Sequence, residues 1–354
     1  LTASSLQNSG KIVGGADTAI HASAIANSGT LAAAIAPSGK TNEAGTLTVT
    51  AKEFDNNNAQ LLSGKDITVS AENIRTQNSR IAANEDVSLV SQNALTVENS
   101  TVQSGRDLSI EANAMPLGGN LSSGRDITIA VKSDLSNEAA SENFGNLHAG
   151  RNLTANIRGN VRNQKTMNAG GTLSLTADGS LTQSAAGVLS AEHLHVRAAD
   201  VENSGLVQAK EETILHTAQL KNAATGGIYG RRINVQAKNG TEEDISAAAL
   251  YNSGKIISEM DTTIHAASVV NKGTLAAAIA PSGKANDVGT LTIMAKELSN
   301  NGAQLLSGNN LSLSAESLRT KSGQIAGNGD ISLTVKNTLD IQDASVQSGR
   351  GLSI

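Results

Sequence analysis

Self-similarity constrains this chain more than any single motif. Residues 1–110 align with residues 245–354 at a constant offset of 244 without a gap, and 62 of the 110 positions are identical. The run from Gly29 to Lys40 returns unchanged as Gly273 to Lys284. A shorter repeat lies inside the long one. Pairs of aliphatic residues two apart recur at Leu47/Val49, Ile67/Val69, Val87/Leu89, Leu108/Ile110, Ile127/Ile129, Leu173/Leu175, Leu194/Val196 and Ile233/Val235. They continue through Leu291/Ile293, Leu311/Leu313, Ile331/Leu333 and Leu352/Ile354, with weaker members around Ile20, Leu153, Leu215 and Ile264. Most steps are 19–21 residues, one is 26 and three are 29. A period of this size is the signature of a solenoid, in which one repeat cannot bury its apolar face without its neighbours.

Alternation with period two reads as strand rather than helix. The residue between the paired aliphatics is usually Ser or Thr, which places a β-compatible hydroxyl outward. Gly punctuates the upstream corner, as in Gly64-Lys65-Asp66, Gly105-Arg106-Asp107 and Gly124-Arg125-Asp126. Downstream, eight turns carry an apolar residue and, two positions later, Asn27, Asn56, Asn137, Asn163, Asn203, Asn222, Asn271 or Asn300. Asn tolerates left-handed corners, and stacked Asn amides can form ladders, so these eight are the expected structural corner set. A third strand follows, for example Gln60-Leu61-Leu62-Ser63. Three short strands and three corners in about 20 residues predict an all-β, parallel β-helix solenoid. Sixteen such turns at one strand spacing imply a single rod of roughly 75 Å. The expected organisation is one shaft over 1–354, with duplicated copies at 1–110 and 245–354 and intervening turns at 111–244.

Composition agrees with a slender core. Only Phe54, Phe144, Tyr229 and Tyr251 are aromatic among 354 residues, and there is no Trp or Cys. Large rings would overfill so narrow an interior. The net charge of −5 and the lack of a basic tract disfavour binding to nucleic acid or an anionic membrane. No run approaches the length of a membrane span, so no insertion is expected. Without cysteine there is neither a disulfide nor a thiolate metal site. The chain begins at Leu1 without a leader pattern, which places any export signal elsewhere.

Catalytic candidates are sparse. An acid–base pair needs clustered carboxylates on one sheet, and the outward stripe is Ser/Thr instead. The acidic run Glu242-Glu243-Asp244 falls in a long inter-turn segment and reads as a solvated corner. His193 and His195 flank inward Leu194 but show no third ligand; His21, His216 and His265 share one repeat position. Hence no catalytic residue, cofactor or metal is expected. Arg106 and Arg125 read as solvated turn residues. The lengthened turns are the strongest partner-binding candidates, because extra residues in a solenoid must bulge outward. Two of them carry the repeated segment with Pro37, Ser38 and Lys40, and with Pro281, Ser282 and Lys284.

The pattern Gly-x-x-[LI]-x-[LI]-x-Ala, then an apolar residue and Asn-x-Gly, is similar to the haemagglutinin repeat. Gly171 to Ala177 and Asn27 to Leu31 show it. That repeat builds the shaft of filamentous-haemagglutinin-like exoproteins, which include adhesins and the exoproteins of contact-dependent growth inhibition. The resemblance implies a right-handed coil, the hand also favoured by the general crossover rule. It further implies export with an outer-membrane secretion partner, a location at the bacterial cell surface or beyond, and a monomeric rod. The expected function is a non-enzymatic shaft that projects an adhesive or toxin-delivering segment, outside this stretch, towards a target-cell surface. The alternatives are that the shaft itself adheres to glycans or proteins or, more remotely, that it cleaves polysaccharides.

Overall fold

The structure is a computed structural model that describes residues 1–35, 45–137, 145–236, 248–280 and 282–354. It is all-β, and its strands pair in parallel with partners about one turn away in sequence. The chain divides into two compact units, Leu1–Asp178 and Gly179–Ile354. Each is a β-solenoid.

One turn of the first unit shows how the sequence dictates the coil. Strand Ile67–Ala71 buries every second residue, strand Asn73–Gln77 buries Ile74 and Thr76, and strand Arg80–Ala83 buries Ile81 and Ala83. The apolar period of two thus turns inward on three successive faces. Ile67 stands over Leu47 and under Val87, and the column continues through Leu108, Ile127, Leu153 and Leu173. A second column on the third face runs Leu31, Leu61, Ile81, Val102, Leu121, Leu147 and Met167. All of these side chains are buried. Like stacks on like because a turn of constant length returns the chain to the same angular position.

The second unit repeats the plan with two polar insertions in its core. Its first-face column reads Leu194, Thr213, Ile233, Thr262, Leu291, Leu311 and Ile331. Both threonines are fully buried and satisfied: Thr213 Oγ1 donates to the Tyr229 carbonyl at 2.9 Å, and Thr262 Oγ1 to the Ala276 carbonyl at 3.0 Å. A buried hydroxyl with a partner avoids the penalty of an unmade hydrogen bond. Among the described residues, one aromatic ring does enter a core. Phe54 is buried between Ile25 and Ile74 in the second-face column, whereas the copy at the same repeat position is Leu298. The interior therefore admits a single ring where both neighbours are aliphatic.

Among the described residues, one lengthened turn is seen where it leaves the coil, after Ala278. The chain turns back there in a small hairpin whose two arms are joined by the antiparallel bridge Ile279↔Ala285. The Ala280 amide donates to the Lys284 carbonyl and the Asn286 amide to the Ala278 carbonyl, while Gly283 sits at φ 80°. Gly308 packs so closely on the hairpin base that an added Cβ would lie 2.0 Å from the Ala278 carbonyl oxygen. The strand ladder resumes undisturbed at Thr290.

A buried charge is the sharpest test of this stacking. Ile127 is fully enclosed between Leu108 and Leu153. Ile127→Ala should destabilise the first unit by roughly 2–5 kcal/mol in chemical denaturation. Ile127→Asp should also open the neighbouring turns to limited proteolysis, because an unpaired carboxylate cannot remain buried. Unchanged protease resistance in the Asp variant would contradict the stacked core.

Candidate functional site

The most regular polar feature is internal. In the first unit Asn8 Nδ2 donates to Asn27 Oδ1 (2.7 Å), Asn27 to Asn56 (2.8 Å), and Asn56 to Thr76 Oγ1 (3.2 Å). Asn137 donates to Asn163 at 2.9 Å. In the second unit the series runs Gln183, Asn203, Asn222, Asn252, Asn271, Asn300, with amide contacts of 2.8–3.1 Å. Every side chain in these series is buried. The same amides reach backbone as well: Asn222 Nδ2 also donates to the Lys255 carbonyl (3.2 Å), and Asn203 Oδ1 accepts from the Gly205 amide (3.2 Å). Each amide thus ties its own corner to the turn above.

None of the eight asparagines singled out from the sequence has a left-handed backbone. They lie at or beside the end of the second strand of their turns, as Asn27, Asn203 and Asn271 do, and none needs a left-handed φ to turn its amide inward. Left-handed φ occurs instead at Asn58, Asn78 and Asn99, two residues after the ladder position. Ladder tolerance and corner tolerance therefore belong to different residues. Asn8 and Asn252 complete the series and were legible in the same spacing, as Leu6-x-Asn8 and Leu250-x-Asn252. The series stops where Val97 and Leu117 occupy the ladder position, so Asn137 Oδ1 faces Leu117 and has no donor.

The upstream corner carries a second ladder, on the surface. The Asp86 amide donates to Asp66 Oδ1 (3.1 Å), Asp107 to Asp86 (3.0 Å), Asp126 to Asp107 (3.2 Å), and Asn152 to Asp126 (3.1 Å). Arginines on the following turns brace it. Arg106 lies 3.0 Å from Glu85, Arg125 pairs with Asp107, and Arg151 pairs with Asp126. Arg106 and Arg125 are half-exposed but paired, which refines the expectation of free, solvated turn residues. Hydrogen bonding from Arg125 holds the Asp107 carboxyl below its usual range, and Arg151 does the same for Asp126.

Histidines gather on the outer first face of the second unit. Arg197, His216 and Gln236 are register neighbours on successive strands, and His195 stands beside Ile214. The His216 ring touches the Gln236 amide. Burial first, then the charges of Arg197 and His195, lowers the pKa of His216. His193 lies opposite Glu212, His21 opposite Thr50 and His265 opposite Met294. Among the described residues, no group of three or more His, Asp or Glu side chains is placed to hold a metal ion. Ser282 and Lys284 are exposed at the hairpin tip. Pro37, Ser38, Lys40 and Pro281, like the Glu242–Asp244 run, lie outside the described residues. Among those described, no helix is long and apolar enough to cross a membrane.

Parallel coils of this kind, with amides stacked at one repeat position, define a β-solenoid built from short sequence repeats. The chain belongs to the haemagglutinin-repeat family, whose model matches residues 1–36, 24–99, 90–143, 139–187, 183–239, 230–342 and 316–354. It is also 28% identical over 177 residues to the Toxin CdiA of Escherichia coli. That match covers 47% of this chain and 6% of that protein, so the chain spans a small part of its relative's length. No solved structure shows a significant match.

Two measurements probe these ladders. Asn222→Ala leaves the Asn203 amide with only its long contact to the Gly227 carbonyl and takes the ladder donor from the Asn252 oxygen, so it should lower stability by roughly 1–3 kcal/mol, with Asn137→Ala lowering it less because one partner is already missing. The thermal midpoints of the two variants would reveal the difference. The second is acid titration. A lowered His216 pKa means the folded state binds this proton less readily than the unfolded chain. Stability should therefore fall as pH drops below the ordinary histidine value of 6.5, and His216→Gln should flatten that slope. The depressed Asp107 and Asp126 act at lower pH. Their contribution is present above the ordinary value of 3.8 and is lost as pH falls through the depressed values.

Proposed function

We propose that this chain is part of the shaft of a large secreted, cell-surface exoprotein, and that its turns hold an adhesive or toxin-delivering segment away from the producing cell. The observation that carries this reading is the one-turn register kept through each unit, with like residues stacked on like and an amide ladder inside. Stability in such a stack is a sum of nearest-neighbour terms, so turns can be added without redesigning the core. The internal duplication fits growth by whole turns: its offset of 244 residues equals eleven steps of the short repeat.

Family membership supports export with an outer-membrane secretion partner and a bacterial cell-surface location. Similarity to a toxin supports delivery as the role of the distal segment. The outer faces offer Ser, Thr and amide side chains, and the paired Arg–Asp corners neutralise one another, an arrangement suited to holding shape in water rather than to moving protons. The hairpin bridged at Ile279 and Ala285 offers a place for a lateral partner, with Ser282 and Lys284 exposed.

The spacer role is tested in the full-length parent protein. Deleting residues 67–126 joins Asp66 to Ile127 and removes three whole turns, because Ile67, Val87, Leu108 and Ile127 stack in one column. The shortened protein should be exported and protease-resistant. Deleting residues 67–76 cuts within a turn and should leave neither property. Replacing the deleted turns with an unrelated β-solenoid of equal turn number should preserve target-cell activity if length is what matters. Loss of activity despite normal export of that replacement would refute a pure spacer.

A further inference from the structure

The outer first face of the second unit carries side chains that the spacer role makes no use of. One outward column there runs His216, Gln236, His265, Met294: His216 pairs in register with Gln236, Gln236 and His265 directly follow the pair Val235↔Ile264, and His265 pairs with Met294. Met294 is 41% exposed, whereas Met115 and Met167 lie in the core, and the next turns place Ser314 and Thr334 at the same position. Among the described residues, seven buried side-chain nitrogen or oxygen atoms have no hydrogen-bond partner. Four of them are on this one face: His195 Nε2, Asn234 Oδ1, Gln236 Oε1 and His265 Nδ1. A buried polar atom without a partner costs free energy until something binds it. Gln236 Oε1 and His265 Nδ1 stand on adjoining turns, and the His216 ring already engages the Gln236 amide nitrogen.

We propose that His265 and Met294 hold a copper(I) ion, with the Gln236 amide oxygen on the adjoining turn as a weaker third donor. Neighbouring strands stand about 4.8 Å apart, and an ion bonded to an imidazole nitrogen at about 2.0 Å and a sulfur at about 2.3 Å bridges a gap of that size. Thioether sulfur is a soft donor and selects soft, monovalent copper, which is content with few ligands. Zinc asks for three or four imidazole or carboxylate ligands, and among the described residues no three are placed to supply them. For Nδ1 to offer its lone pair the ring carries its proton on Nε2, so the ion binds without displacing a proton. Exposed Met294 leaves the site open to solvent on one side, which gives the ion a way in. The cation of this column, Arg197, is three turns from His265. That is roughly 14 Å at strand spacing, beyond the screening length of about 8 Å at physiological salt.

The duplicated copy supplies an internal comparison. At the offset of 244, His265 corresponds to His21 and Met294 to Thr50, and these two are again register neighbours. His21 is exposed, Thr50 brings no soft donor, and Thr2 stands on the other side of His21 where His265 has Gln236. The coil therefore accepts a histidine beside a threonine here, and neither the thioether nor the enclosed ring nitrogen is required to build the turn.

The test titrates the whole 354-residue chain, made without a histidine tag, with copper(I) held by the competing chelator bicinchoninate under anaerobic, reducing conditions. Zinc(II) is titrated separately, and Met294→Thr and His265→Thr are run alongside. One equivalent of copper(I) should bind, about tenfold or more weakly in Met294→Thr and more weakly still in His265→Thr, with the thermal midpoints of the metal-free proteins unchanged. X-ray absorption at the copper edge should show a sulfur neighbour that Met294→Thr lacks. Should His265→Thr unfold, Met294→Thr alone carries the comparison, because the first copy already holds Thr50 at that place. The proposal is overturned if no copper(I) is retained against the chelator, or if zinc(II) binds more tightly than copper(I). Equal affinity in folded Met294→Thr, or a spectrum without sulfur, marks an adventitious ion only and overturns it as well. Each of these results leaves the spacer reading intact, since that reading requires no metal.

Discussion

Everything in these two units depends on the backbone hydrogen bonds that join each turn to the next. A single coil of about 20 residues leaves both edges of its three strands unpaired and its aliphatic side chains half-covered, and neither defect can be mended within the coil. Stacking repairs both at once. It also imposes the condition that shapes the whole sequence: each turn must bring its residues back over those of the turn before. A slip of one residue would turn every inward aliphatic to solvent. That is why the core columns are so uniform, and why the extra residues around Ile279 and Ala285 leave the coil as a hairpin at a corner, while single-residue differences in turn length are taken up as register shifts such as that between Glu98 and Thr101.

The interior amides solve a second problem created by stacking. At the end of the second strand the chain must bend sharply, and the corner has carbonyls and amides that no strand partner reaches. An Asn at that position turns its side chain inward, binds the neighbouring backbone and hands a hydrogen bond to the next turn. Where Val97 and Leu117 take that place the corner is apolar, and the next amide oxygen is left unmatched. Polar ladder and hydrophobic column are therefore interchangeable locally, provided that neighbours agree. On the surface, the aspartates at the other corner do similar work by accepting the next turn's amide, with arginines balancing their charge.

Much of this was legible in the sequence because a solenoid is nearly one-dimensional. The pairs Ile67/Val69 and Leu311/Leu313 announce inward strands, and Gly105 and Gly124 announce corners, with no knowledge of distant contacts. The family resemblance rested on the same residues and is carried by repeats along the chain. Less legible was which Asn does what. Asn56 and Asn58 sit two residues apart and look alike in sequence, yet one is a buried ladder member and the other a left-handed surface residue. The pairing of Arg125 with Asp107 was also hidden, since it joins residues 18 apart on different turns. The left-handed corners at Asn58, Asn78 and Asn99 have no motif, only a shared angular position.

The sequence by itself determined the fold class, the turn length and the inward set, because period-two alternation and constant repeat spacing leave a chain of this composition no other way to cover its aliphatics. Tertiary structure alone decided the partners of the polar side chains. Corner angle sets whether an amide points into the stack or out of it, and that angle emerges only once a turn is held by its neighbours. The physical reason is a difference in range. Burial patterns are written in residues two apart, whereas the hydrogen-bond ladders join residues a full turn apart.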